Sequence, residues 1–176
     1  MDVAENSTRA GASLVTICID VDTAGDTLTC RIVDDGCGMS REQVERVTDP
    51  FYTTRTTRKV GLGVPFFKMA ALCTGGTFDI QSEVGVGTSV TAVFGLSSID
   101  RMPLGDISTT IQNLIIYHPE SDFLYRYTYN GVSFALDTRE LKEVLGGIPL
   151  DTPDVATYIL EYLQEGKIET DGGVIY

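Results

Sequence analysis

The stretch DPFYTTRTTRKVGLG, Asp49 to Gly63, sets Arg55, Arg58 and Lys59 just ahead of Gly61, Leu62 and Gly63, with a short apolar run following. Cations beside glycines at the start of a helix suit an anion. The free N–H groups of the first helical turn face it, and glycines let the backbone come close. Three other blocks carry groups able to do chemistry. DVAENSTRAGA places Asn6 four residues after Asp2, on one face of a helix. DDGCGMS closes an apolar strand on Asp34 and continues through Gly36, Gly38 and Met39, and GVGTSV holds Thr88. Taken singly, each block has a plain explanation: Gly-Leu-Gly is a loop-to-helix junction and DDG a solvated turn. Their order and spacing together make the signal.

Those blocks sit on a chain of 176 residues, enough for one domain or a domain with a small companion. Hydrophobic residues make up 43% of it, which supports a packed core and argues against global disorder. The net charge of −12 argues against a general nucleic-acid surface, because such binding rests on Lys and Arg neutralising phosphates. It leaves room for a local basic pocket. Cys18, Cys30, Cys37 and Cys73 form no CxxC pair, so a reduced setting is expected. With no apolar leader and no run long enough to span a bilayer, a soluble, cytoplasmic protein without membrane contact is expected.

The elements follow from period and punctuation. A first helix ends at Gly11, and LVTICIDVD alternates Val15, Ile17, Ile19 and Val21 on one strand face. TLTCRIV is a second strand. Ser40 and Gln43 form a capping box for REQVERV, and VPFFKMAALC has helical spacing up to a stop at Gly75. TFDIQS and SVTAVFGL are two further strands. The composition changes around SSIDRMPLGD, which sets a domain boundary near residue 97: 1–96 on one side and 97–176 on the other. Beyond it, Ile107, Ile111, Leu114 and Ile115 share a helical face. Asn130–Gly131 turns a hairpin, Asp137 and Glu140 form a second capping box, and Thr152 caps a last helix that starts at Pro153 and runs to Gly166.

The four blocks, in this order, resemble the GHKL ATPase superfamily of DNA gyrase, heat-shock chaperones, histidine kinases and mismatch-repair ATPases. The resemblance covers residues 2 to about 95. ENSTRAGAS and DDGCGMS look like the mismatch-repair type, whereas DPFYTTR, GLG, GG and SEVGVGTSV look like a histidine-kinase catalytic domain. Small stand-alone bacterial histidine-kinase-like proteins look closer still. The resemblance implies an α/β fold, an α+β two-layer sandwich of the Bergerat type: a mixed sheet with helices on one face and ATP between the layers. Residues 97–176 would form a small helix–hairpin–helix–helix extension.

It also implies roles. Asn6 would hold Mg²⁺, a hard ion that takes oxygen ligands and keeps several waters. Arg9 would face phosphate. Asp34 would accept a hydrogen bond from the adenine amino group, with Gly36, Gly38 and Met39 beside the base and Thr88 supporting the carboxylate. Arg55, Arg58, Lys59, Gly61, Leu62 and Gly63 would surround the phosphates. Lys59 stands where such families often have a first glycine, and the segment after Phe51 is short, so a small lid is expected. Asp2 replaces the Glu that serves as general base in the hydrolytic branches. Each residue also has a structural explanation, as a helix-surface Asn, a solvated Arg, a turn Asp or a helix-start carboxylate.

The expected function is Mg²⁺-dependent ATP binding with phosphoryl transfer to a separate protein, because no histidine-bearing dimerisation helix is legible. His118 precedes a proline and reads as a capping residue. An ATP-hydrolysing switch of the mismatch-repair or gyrase type, or a non-catalytic nucleotide-binding module, are the alternatives. A homodimer is compatible with each.

Overall fold

A computed structural model describes residues 1–49 and 62–174. Helix α1 (Asp2–Arg9) leads into β1 (Leu14–Asp22) and β2 (Thr27–Asp34). Helices α2 (Arg41–Thr48) and α3 (Gly63–Cys73) precede the hairpin β3 (Thr77–Glu83) and β4 (Gly87–Gly95). Then come α4 (Ile107–Tyr117), β5 (Asp122–Tyr129), β6 (Val132–Asp137), α5 (Thr138–Leu145) and α6 (Pro153–Asp171).

The six strands among the described residues form one mixed sheet in the order β3-β4-β2-β1-β5-β6. Alternation decides its two faces. Val15, Ile17, Ile19 and Val21 of β1 are buried, and the antiparallel register with β2 puts Ile32, Cys30 and Leu28 opposite the last three. The parallel register with β5 adds Phe123, Tyr125 and Tyr127 to the same face. That face carries the core, and helices from both halves of the chain cover it. Arg31, Asp20 and Arg126, on the opposite pleat, are exposed. The expected mixed sheet with helices on one face is what forms.

The sheet and the core continue across residue 97. Leu14 pairs with Asp122, and one apolar cluster reaches from Ala71 and Phe94 to Ile159 and Leu163. Gln112 of α4 donates from its Nε2 to the Ala156 carbonyl at 2.7 Å, tying α4 to α6. A buried polar knot closes the far end. Asp171, 4% exposed, accepts hydrogen bonds from the Tyr127 hydroxyl at 2.7 Å and Lys167 Nζ at 2.6 Å.

Local details depart from the sequence pattern in instructive ways. The Ser40–Gln43 capping box forms in full. The Asp137 box forms only by half: the Asp137 carboxylate accepts from the Arg139 N–H and also grips its guanidinium. Thr152 stands at the N-cap of α6, but its side chain makes no capping bond. Helix α6 does not stop at Gly166; it continues to Asp171 and ends at Gly172 in the left-handed conformation. Gly166 serves packing instead, because a Cβ there would lie 2.5 Å from the Phe134 ring. His118 is the C-cap residue of α4, with Nδ1 3.3 Å from Glu120.

Candidate functional site

The site forms where α1 and α3 cross the ends of β2, β3 and β4. The strand register builds it. Asp34 lies directly opposite Thr88, and Thr88 opposite Ser82, so three polar side chains form one row on the helix-facing side. The rows below are apolar, with Ile32, Val90 and Ile80. Polar groups thus stand at the mouth of an apolar slot.

Two neighbours fix the Asp34 carboxylate. Ser7 of α1 donates to Oδ2 at 2.6 Å, and the Gly36 N–H donates to Oδ1 at 3.0 Å. Ser7 is buried on the same helical face as Val3 and Ala4. Each carboxylate oxygen offers two lone pairs, so acceptor capacity remains toward the cleft. The turn explanation of Asp34 therefore holds for one oxygen only. The next residue, Asp35, points to the other pleat. Its carboxylate accepts from the Leu14 N–H at 2.9 Å and from Ser13, which holds its carboxyl below the usual range.

The loop after β2 is locked onto the β3–β4 turn. Gly38 has φ +63, and a Cβ there would sit 1.9 Å from the Glu83 carbonyl oxygen. Only glycine satisfies both the angle and the approach. The Met39 N–H donates to Ser82 Oγ at 2.8 Å, and that oxygen is 2.8 Å from Thr88 Oγ1. Gly36 packs on Ala10 of α1, where an added Cβ would be 2.9 Å from the Ala10 Cβ. So these glycines bring backbone onto backbone and helix, and thereby set the height of Met39 in the cleft.

The resulting cleft holds about 210 Å³ and is lined by Asn6, Ser7, Asp34, Gly38, Met39 and Thr88, with Val3, Val64, Ile80 and Val90 among its apolar walls. The Asn6 carboxamide has no hydrogen-bond partner among the described residues, so its oxygen is available to a ligand. No group of three His, Cys, Asp or Glu side chains able to hold a metal occurs among the described residues.

Arg9, Asp2, Leu62 and Gly63 sit around this cleft rather than in it. Arg9 is exposed and pairs with Glu5 at 2.8 Å along α1. Asp2 is exposed and lies against the start of α3, where a Cβ on Gly63 would come within 2.5 Å of the Asp2 Cβ. Gly63 thus gives α3 its close approach to α1. Leu62 is the exposed N-cap residue of α3 and provides no capping side chain. Pro65 has no N–H, so the open donors of that first turn include Gly63 and Val64. Arg55, Arg58, Lys59 and Gly61 lie outside the described residues. Ser7 and Ser82 are the site residues that sequence motifs miss. Their signal was periodic: Ser7 falls on the apolar stripe of α1, and Ser82 follows Phe78 and Ile80 on one face of β3.

A two-layer α+β sandwich with an acidic residue at a strand end, facing a helix that offers an amide, is the architecture of GHKL-type ATP-binding domains. The model of the histidine kinase-, DNA gyrase B- and HSP90-like ATPase family matches residues 1–98, and the chain belongs to that family. It is an ATP-binding chain of that kinase-or-ATPase class. Among similar proteins are a heme sensor protein of Staphylococcus saprophyticus, 37% identical over 70 residues, and sporulation kinase D of Bacillus subtilis, 37% identical over 68 residues. Each match covers 39% of this chain. A sensor protein of Staphylococcus aureus is 34% identical over 94 residues, 51% of the chain. The chain spans only 13–16% of the length of these relatives. Among the described residues, no helix is long and apolar enough to cross a membrane.

Proposed function

We propose that the cleft binds Mg²⁺–ATP and that the chain passes the γ-phosphoryl group to a separate protein, as a histidine-kinase catalytic domain does. The observation that carries this reading is the fixed Asp34 carboxylate, aligned with Thr88 and held by Ser7, whose neighbour on α1, Asn6, has an amide unengaged among the described residues. Asp34 accepts the adenine 6-amino hydrogen bond while Thr88 and Ser82 keep the adjoining edge polar. A guanine would set its carbonyl against the carboxylate and leave it unsatisfied.

Asn6 supplies one neutral oxygen, which fits an ion that keeps most of its waters and is held mainly by phosphate. Mg²⁺, when bound, offsets the charge of the triphosphate. The Gly63 and Val64 N–H groups at the start of α3 receive phosphate oxygens, and the helix dipole favours the same charge. Arg55, Arg58, Lys59 and Gly61 are assigned to that end of the nucleotide, and Arg9 is a further cation near it once released from Glu5. Transfer breaks the bond from the γ-phosphorus to the β–γ bridging oxygen. It forms one to the acceptor nucleophile, which loses its proton, and ADP departs.

The kinase reading is supported by relatives named as sensor proteins and as a sporulation kinase. It requires a protein acceptor in a cytoplasmic setting, and the charge of −12 speaks against nucleic acid. Residues 97–176 are proposed as an accessory segment to the nucleotide-binding part. Hydrolysis with Asp2 as general base is the second reading. It is less favoured, since Asp2 packs at the start of α3 and does not line the cleft.

The test is incubation with ATP labelled at the γ-phosphate, Mg²⁺ and candidate acceptor proteins. Label on a protein is expected. Label found only in free phosphate would overturn transfer in favour of hydrolysis, and label that stays in ATP would leave a binding module.

A further inference from the structure

A second cavity, of about 330 Å³, lies between the sheet and helices α1, α3 and α4, on the opposite side of the α1–α3 pair from the nucleotide cleft. Its walls are apolar: Ile17, Leu28, Phe67, Phe94, Leu104 and Ile111 among others. It opens to solvent beside the exposed Met1 and Met102, and apolar cavities of about 150 Å³ already admit small apolar guests. A space of this size, with these walls, is therefore a ligand-sized feature. At about twice the volume of a cavity that holds benzene, it accommodates about twelve non-hydrogen atoms.

One wall side chain is charged. Arg101 sits between the two halves of the chain. Its Nε donates to the Leu96 carbonyl at 2.9 Å and its Nη1 to the Met102 carbonyl at 3.3 Å. Those bonds fix the guanidinium, while Nη2 has no partner among the described residues. Carboxylates outnumber cations in this chain by 25 to 13, yet no described carboxylate pairs with Arg101. The other polar side chains of the wall are neutral, and the Met1 amino group, close enough to Cys30 to act on it, adds positive charge to the wall. Burial pushes the Cys30 thiol up to about 12, so it stays protonated, and Thr110 offers only a hydroxyl. The cavity thus presents apolar walls and one preorganised cation with hydrogen-bonding capacity to spare. That combination matches an apolar body carrying a single negative charge.

We propose that this cavity binds a small amphipathic carboxylic acid, its apolar body between the sheet and helices α1, α3 and α4 and its carboxylate on Arg101. The occupant is the free acid in solution rather than a membrane lipid. The cavity's walls are core elements of the sandwich, and its volume suits about one ten-carbon chain.

The experiment is calorimetric titration of the full chain, without nucleotide, with monomeric decanoate and in parallel with decanol. Saturable one-to-one binding of decanoate is expected, at least about tenfold tighter than decanol. Arg101→Met should weaken decanoate several-fold toward the affinity of decanol, the Met1 amino group keeping part of the attraction, and Thr110→Phe, which fills the cavity from α4, should abolish both. Thermal melts identify any variant that fails to fold; Arg101→Met, at a half-exposed position, carries the test if Thr110→Phe does. No uptake of decanoate, equal affinity for acid and alcohol, or full affinity in Arg101→Met would overturn the proposal. So would co-sedimentation with phosphatidylglycerol vesicles in place of decanoate binding. Because no nucleotide is present, these outcomes are independent of the ATP cleft.

Discussion

Replacing Asp34 by Asn is the most informative perturbation of the cleft. Asp34 Oδ1 faces the Gly36 N–H at 3.0 Å and Oδ2 faces Ser7 Oγ at 2.6 Å. The Gly36 N–H requires an acceptor, so the amide oxygen of Asn must take the Oδ1 place. The amide NH₂ then occupies the Oδ2 place, and the Ser7 hydroxyl turns to accept from it. Both local bonds survive in neutral form, so the fold should lose no more than about 1 kcal/mol. Toward the cleft, however, an acceptor has become a donor. Adenine now meets donor against donor, and a hydrogen bond to a charged group, about 1.5–3 kcal/mol, disappears. ATP affinity should fall about 10- to 150-fold. GTP, whose ring carbonyl suits a donor, should bind at least as well as before. Calorimetry with Mg²⁺ and either nucleotide on wild type and Asp34→Asn measures both. Unchanged ATP affinity, or equal losses for the two nucleotides, would refute the reasoning.

Three further predictions concern the frame. Gly38→Ala combines left-handed strain with a clash on the Glu83 carbonyl, and should cost upward of about 2 kcal/mol in urea unfolding while weakening nucleotide binding; a loss below 0.5 kcal/mol on that rough scale would contradict it. Asp171→Asn should cost roughly 2–4 kcal/mol, because Lys167 loses its carboxylate and Tyr127 its charged acceptor. Burial raises the Asp171 pKa, but the bonds from Lys167, Tyr127 and Gly173 outweigh it and the net shift is downward. Its stabilisation is therefore present above the unfolded carboxyl pKa of about 3.9 and is lost as pH falls through the folded value. Wild type should lose stability on acidification more steeply than Asp171→Asn; equal slopes would exclude this account. Tyr125→Phe removes a buried hydroxyl that has no hydrogen-bond partner among the described residues, and should leave stability unchanged or raise it by about 1 kcal/mol in the same assay; a clear loss would show that the hydroxyl is bonded.

Much of this fold was legible in periodicity. The alternation of Val15, Ile17, Ile19 and Val21 defines the buried face of β1, and Asn130–Gly131, both at positive φ, turn the β5–β6 hairpin. Strand order was not legible, because β1 pairs with β5 over a separation of more than a hundred residues and local pattern does not encode partners. Gly166 misled as a stop because its reason is the Phe134 ring, a non-local contact. In the cleft, Asn6, Asp34 and Thr88 were found through short motifs. Ser7 and Ser82 escaped because a buried serine on an apolar stripe looks like a weak core residue until the strand register brings Asp34 and Thr88 beside it. Arg9 was read from type and position alone, and its pairing with Glu5 is set by side-chain geometry along one helix.

The central claim is that nucleotide lies between α1 and the ends of β2 and β4. Amide NMR of the chain titrated with a non-hydrolysable ATP analogue and Mg²⁺ tests it most directly. The account predicts shifts concentrated at Asn6, Ser7, Asp34, Gly36, Met39 and Thr88, with Arg31 and Arg126 on the open face of the sheet unmoved. Shifts confined to that open face, or none at saturating analogue, would contradict it.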